Sequence, residues 1–198
     1  MDAFVQPLYE LADFDAIIRQ LKKPGIVQVS GCLDSQKAHF TNGLLREFPF
    51  RLIVAENDLK AKAFYEDFRL YDPEVLYYPA RDLIFYQADI HGNLLTRQRI
   101  QVLRALLERE EVTIVTSIDS CLDCLVPLAV WKEKVIKIRN DSEIDLDRMK
   151  RHLVELGYEW AAQGEVPGQF SIRGGIMDVF SLTEDNPWRI ELWGDEVD

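Results

Sequence analysis

The residues best placed to do chemistry lie at 31–38, where Gly31-Cys32-Leu33-Asp34-Ser35-Gln36-Lys37-Ala38 separates a β-branched run from an amphipathic stretch. This is the setting of a phosphate-binding loop: strand, loop, helix N-terminus. The full pattern is G-x-x-x-x-G-K-[ST], in which glycines let the backbone wrap the phosphates, Lys reaches the terminal phosphates and the hydroxyl holds Mg²⁺. Gly31 and Lys37 fit it. Gln36 stands where the second glycine belongs and crowds the backbone approach. Ala38 stands where the hydroxyl belongs and has no oxygen for a metal. Asp34 adds negative charge where phosphate would sit. The segment is either a degenerate phosphate loop or an ordinary strand-to-helix turn. Both readings predict a loop that does not hydrolyse ATP, so no catalytic residue, metal or cofactor is assigned to this chain.

A second chemical signal is Cys121-x-x-Cys124. A zinc site needs two further ligands, and no second pair exists; His39, His91 and His152 are scattered. These thiols are expected to be ordinary half-buried side chains, and the sparse, odd cysteine count fits a reducing cytoplasm. Net charge is −11, with 14 basic and 19 acidic residues in 1–125 and 9 and 15 in the remainder. Acidity in both parts disfavours nucleic-acid binding by the whole chain and favours protein partners. No apolar run approaches the roughly 20 residues of a membrane helix, and the N-terminus lacks a basic, secretory-type start.

Alternation of short apolar runs with amphipathic stretches must position these residues. Helices are predicted over Phe14–Lys22, Gln36–Glu47, Asn57–Leu70 with Asn57 as cap, and Leu94–Glu108. Strands are predicted at Ile26–Val29, Leu52–Ala55, Val75–Tyr78 and Val112–Thr116. This order implies a mostly parallel sheet covered by helices. The pattern changes near Pro127. A half-exposed strand is expected at Lys134–Arg139 and a helix over Asp145–Leu156, capped by Asp145 and closed by Gly157. Strand candidates follow at Gln169–Arg173, Met177–Ser181 and Arg189–Trp193. The chain ends directly after a strand, which suggests a boundary inside a longer protein.

Two segments carry a family resemblance: Tyr77-Tyr78-Pro79-Ala80-Arg81-Asp82, and Gln169-Phe170-Ser171-Ile172-Arg173-Gly174-Gly175-Ile176-Met177-Asp178-Val179-Phe180. With Ile190-Glu191-Leu192-Trp193-Gly194-Asp195-Glu196-Val197-Asp198, they resemble the N-terminal module of the bacterial transcription-repair coupling factor family (Mfd), itself similar to the first domains of UvrB. The resemblance runs the length of the chain. It implies an α/β fold with an incomplete RecA/P-loop-like parallel sheet at 1–127 (UvrB domain 1a-like). It also implies a small α+β domain with an antiparallel sheet at 128–198 (UvrB domain 2-like) that binds UvrA. In the parent protein, an ATP- and Mg-dependent motor outside these residues acts on double-stranded DNA and stalled RNA polymerase. By the resemblance, Arg173 and Phe180 match UvrA-contacting positions; Gly174 and Gly175 are expected to be backbone requirements. One departure is Glu159, after Gly157-Tyr158, where the family often has Arg. The segment Asp82–Asn93 is too short for the DNA-probing hairpin of UvrB. An alternative function is DNA binding through Arg81, Arg97, Arg99 and Arg104 interleaved with Tyr77, Tyr78 and Tyr86.

Overall fold

A computed structural model of the chain describes residues 3–81 and 91–198, with 91–93 described by their backbone alone. The described residues form two compact units: 3–81 with 101–123, and 91–100 with 124–198. The helix over His91–Glu108 contributes to both. Tyr86 and most of the segment expected to be too short for a hairpin lie outside the described residues.

In the first unit, β1 (Phe50–Ala55), β2 (Leu76–Tyr78) and β3 (Val112–Ser117) form a parallel sheet in the order β1-β3-β2. Helices α1 (Phe14–Leu21), α2 (Asp34–Leu45), α3 (Asp58–Phe68) and α4 (His91–Glu108) occupy the predicted stretches. Asn57 caps α3 as expected, its Oδ1 accepting the Lys60 N–H at 2.9 Å. Parallel strands are covered on both faces in a folded α/β unit, and β3 is buried along its whole length. On one face, Ala38, Ala61, Phe68, Val75, Tyr77 and Val115 pack together. On the other, Val102 and Ala105 of α4 pack against Tyr78, Val112 and Ile114.

Two strand expectations in this unit are corrected. Ile26–Val29 joins neither sheet, and Ile26 is 98% exposed. A β-branched run favours extended backbone, but composition alone supplies no pairing partner. The second concerns β1, expected to be buried, whose exposure alternates: Phe50, Leu52 and Val54 are open to solvent.

The first unit ends with the short helix α5 (Ile118–Cys121); the second holds α6 (Leu128–Lys134), then α7 (Leu146–Glu155), followed by β4 (Glu159–Trp160), β5 (Gln169–Arg173), β6 (Ile176–Val179), β7 (Trp188–Trp193) and β8 (Glu196–Val197). The strands lie in sequence order. β4 is parallel to β5, and the rest are antiparallel as expected. Residues 135–139 form no strand, yet their alternation survives as packing: Ile136 and Ile138 join the core while Val135 and Lys137 stay exposed. Asp145 Oδ1 accepts the Arg148 N–H at 3.0 Å, capping α7. Gly157, at φ +89°, ends it: its N–H donates to Val154 O and the Tyr158 N–H to Leu153 O, the Schellman pattern. Leu153, Phe170 and Met177 form the buried centre beneath the helix. No helix among the described residues is long and apolar enough to cross a membrane.

Candidate functional site

The loop at 31–38 is closed on itself. Gly31 has φ +88°, a left-handed conformation that needs glycine. Helix α2 then begins at Asp34. Gln36 Oε1 accepts the Leu33 N–H at 3.2 Å, while Leu33 O accepts the N–H groups of Gln36 (2.9 Å) and Lys37 (3.2 Å). Lys37 Nζ sits 2.6 Å from Asp34 Oδ1. Hydrogen bonding and charge from Lys37 hold the Asp34 carboxyl below its usual range, and the same pair raises the lysine. Ala38 faces inward and is buried beside Ala61 and Phe68. Gln36, Lys37 and Ala38 thus lie in the first turns of α2, with Gly31 before it; the Leu33, Gln36 and Lys37 donors have local partners, and Ala38 is committed to the core.

The carboxyl ends of the strands, where open α/β sheets bind ligands, are similarly occupied. Asp58 Oδ1 accepts the Ala80 N–H at 3.1 Å and the Ser117 hydroxyl at 3.3 Å; Ser117 and Ser120 share a hydrogen bond of 2.9 Å. The Tyr77 hydroxyl donates to Asp58 O, and burial pushes its pKa up. Asp58, Ser117 and Ser120 were not singled out from sequence; the only local signal was the acid directly after the Asn57 cap. Elsewhere in this unit, a cleft of about 610 Å³ is lined by Arg51, Asp72, Glu74, Arg109 and Glu111. Its charges answer one another: Arg51 lies 3.7 Å from Asp72 and 3.5 Å from Glu111, and Arg109 lies 3.2 Å from Glu74.

The arginines read as a possible stacking surface are engaged by the protein. Arg81 lies 3.7 Å from Asp123, Arg97 donates to Asp185 Oδ1 at 2.6 Å, Arg104 pairs with Glu108 at 2.9 Å, and Arg99 is buried. Tyr77 and Tyr78 are core residues. The thiols of Cys121 and Cys124, expected to be half-buried, are exposed.

The second unit presents a different kind of site. Arg173 and Ile176 pair across a two-residue loop, Gly174-Gly175, with Gly174 at φ +59°. A positive φ at the first loop position is the pattern of a type II′ turn, for which glycine is favoured. A Cβ on Gly175 would lie 2.7 Å from Leu192 O, and the Leu192 N–H donates to Gly175 O at 2.7 Å. Both glycines are therefore backbone requirements, one conformational and one of close approach. Register places Ser171, Asp178 and Arg189 in one cross-strand row, and Arg173, Ile176 and Glu191 in the next. Asp178, with only 9% of its side chain exposed, accepts from Arg189 Nε at 2.8 Å, Arg189 Nη2 at 3.1 Å and Arg173 Nη2 at 3.2 Å. Foremost the Arg189 hydrogen bonds, with Arg173 assisting, hold the Asp178 carboxyl below its usual range against the opposing effect of burial.

Residues 136–198 match the model of the UvrB interaction domain. Over its whole length the chain is 34% identical to the transcription-repair-coupling factor of Bacillus subtilis, of which it spans 17%. It is 30% identical over 87% of its length to that of Staphylococcus epidermidis, of which it spans 15%. It is also 31% identical over 74% of its length to UvrABC system protein B of Thermosipho africanus, of which it spans 22%. The chain is similar along its whole length to part of the transcription-repair-coupling factors and spans about a sixth of their length.

Within the matched residues, the two side chains singled out from sequence take different positions. Arg173 ends β5 with 53% of its side chain exposed. Phe180 follows β6 at the other end of the hairpin and is buried; its N–H donates to Gln169 O at 2.9 Å, and its carbonyl accepts the Gly168 N–H at 2.7 Å. Glu159 lies exposed on the edge strand β4, beside Gln169. Asp178 and Arg189 were missed as site residues, although a two-residue turn after Arg173 already places Asp178 on the face that Arg173 occupies.

Proposed function

We propose that this chain is a docking module for UvrA and does not itself hydrolyse ATP. It would belong to a larger transcription-repair coupling factor that releases RNA polymerase stalled at DNA lesions and promotes nucleotide excision repair in the cytoplasm. The observation that carries the reading is the UvrB interaction domain at 136–198, whose sheet offers a half-exposed guanidinium, Arg173, anchored on a buried carboxylate. Arginines held this way form bidentate pairs with partner carboxylates and are favoured anchors in interfaces. Phe180 acts from beneath that surface, fixing the end of the hairpin that carries Arg173. Supporting the absence of catalysis are the self-capped turn at Gln36, the Lys37–Asp34 pair and the buried Ala38. No cofactor is assigned to the chain. ATP, Mg²⁺ and double-stranded DNA belong to motor domains elsewhere in such a parent protein.

Titrating the 198-residue chain into purified UvrA by calorimetry tests this reading. Micromolar or tighter association, weakened by Arg173→Ala, is expected; absence of any binding by the wild-type chain would sink it.

A further inference from the structure

Asn42 is out of place inside α2. It is 7% exposed, beside the buried Gly43 and Leu44, yet its carboxamide has no hydrogen-bond partner among the described residues. Asparagine is a poor helix former, and a buried amide without a partner costs stability. Packing alone gives no reason for this side chain. Asn42 lines a cleft of about 610 Å³ in the first unit, a volume typical of small-molecule sites.

Arg51 lines the same cleft. Its side chain is only 11% exposed, and Nε donates to Phe48 O at 2.6 Å. The two terminal nitrogens lie 3.7 Å from Asp72 and 3.5 Å from Glu111, beyond the roughly 2.7–3.2 Å of an N–H···O bond. Asp72 already accepts the Thr113 hydroxyl at 2.7 Å and the Glu74 N–H at 3.1 Å. A buried guanidinium and a buried carboxamide thus face one cleft with donors to spare and with the Asn42 oxygen as a free acceptor.

Charge selects the ligand. The cleft walls carry three arginines and four carboxylates, so they hold no positive surplus. A second anion about 4 Å from Asp72 loses about a thousandfold in affinity at an effective permittivity of about 20. Carboxylates and phosphates are therefore disfavoured, although donors abound, and a cation meets the Arg51 charge. An uncharged group that accepts from Arg51, and both donates to and accepts from Asn42, answers every free atom. That group is the edge of a lactam or primary amide, a C=O beside an N–H, which pairs with a carboxamide through two hydrogen bonds.

We propose that this cleft binds a small uncharged ligand with a lactam or primary-amide edge, held by the Asn42 carboxamide and the terminal nitrogens of Arg51. The site is separate from the matched residues 136–198 and does not depend on docking to UvrA.

The experiment is an NMR titration of the isotope-labelled 198-residue chain with four probes: uracil, its doubly N-methylated form, N-acetylglutaminamide and acetate. Uracil or N-acetylglutaminamide is expected to bind saturably at millimolar concentration or below and to shift the Asn42 side-chain amide. Methylated uracil, which keeps the carbonyls without the N–H groups, and acetate should bind at least about tenfold more weakly. Uracil ahead of the glutamine amide identifies a nucleobase ligand, and the reverse order a peptide amide. Asn42→Leu should abolish uracil binding while melting at or above the wild-type temperature, because it removes an unpartnered buried amide. Arg51→Lys, which keeps the charge facing Asp72, should weaken binding at least about tenfold and decides the question if Asn42→Leu does not fold. Lys60→Ala, on α3 and paired with Glu56, should bind as wild type. No saturable shift with either amide probe, acetate binding as tightly as uracil, or undiminished uracil binding by Asn42→Leu or Arg51→Lys would overturn the proposal.

Discussion

Gln36 Oε1 accepts the Leu33 N–H at 3.2 Å while Leu33 O accepts the Gln36 N–H at 2.9 Å. This reciprocal pair consumes the backbone donor that a phosphate loop would turn toward an anion. Glutamine, standing where the phosphate-loop pattern has glycine, closes a capping box.

Replacing Gln36 by Gly should cost about 1 kcal/mol of stability, through the lost cap and the added backbone freedom, without creating a nucleotide site. Denaturant melts measure the cost. Titration with a fluorescent ATP analogue and Mg²⁺ measures the site, and saturable binding by either form would overturn the account. Ala38→Thr, the substitution that would restore a metal-binding hydroxyl, should destabilise by about 1–3 kcal/mol, because it adds a polar group and volume beside Ala61 and Phe68.

The two glycines after Arg173 should respond differently. Gly175→Ala puts a methyl group 2.7 Å from Leu192 O, a backbone atom already fixed by the Leu192 N–H bond to Gly175 O. Relief requires β6 and β7 to separate, at a cost of about 2–3 kcal/mol. Gly174→Ala meets no atom within 4 Å and pays only for its positive φ, about 1 kcal/mol. Equal losses in urea melts would contradict this distinction.

Sequence pattern located α1 through α4 and α7 to within a few residues, and it located β5 without error, because caps, glycine stops and helical periodicity act locally. It failed where partner availability decides. Ile26–Val29 has strand composition but pairs with no strand, and the 135–139 segment keeps its alternation without a ladder. The same limit affected the site. Arg173 was legible through its turn and its family match, but Arg189 joins it only through the pairing of β6 with β7, a relation between segments that neither segment encodes alone.

The Asp178 clamp should also appear in pH dependence. Its folded-state pKa lies below the ordinary 3.8, chiefly through the Arg189 hydrogen bonds. A depressed carboxylate contributes stability that is fully present above the unfolded-state value and is lost as pH falls through the folded-state value. The stability of the wild-type chain should thus decline below about pH 4, and the difference between it and Asp178→Asn should shrink over that range. Urea melts between pH 2.5 and 6 provide the check; a constant difference would mean that the carboxylate is not the group titrating.

Ile26 separates a composition-based reading from the structure most directly. If Ile26–Val29 were a buried strand, Ile26→Ser would remove a core side chain and cost about 2–5 kcal/mol. At 98% exposure outside either sheet, the side chain has almost no apolar contact to lose, and the change should lie within about 0.5 kcal/mol of neutral. Leu52→Ser, on the open face of β1, should fall between the two, since Leu52 keeps strand pairing with Ile114 while most of its side chain is in water. Thermal melts of the two variants rank them, and a larger loss at Ile26 than at Leu52 would place the 26–29 run back in the sheet.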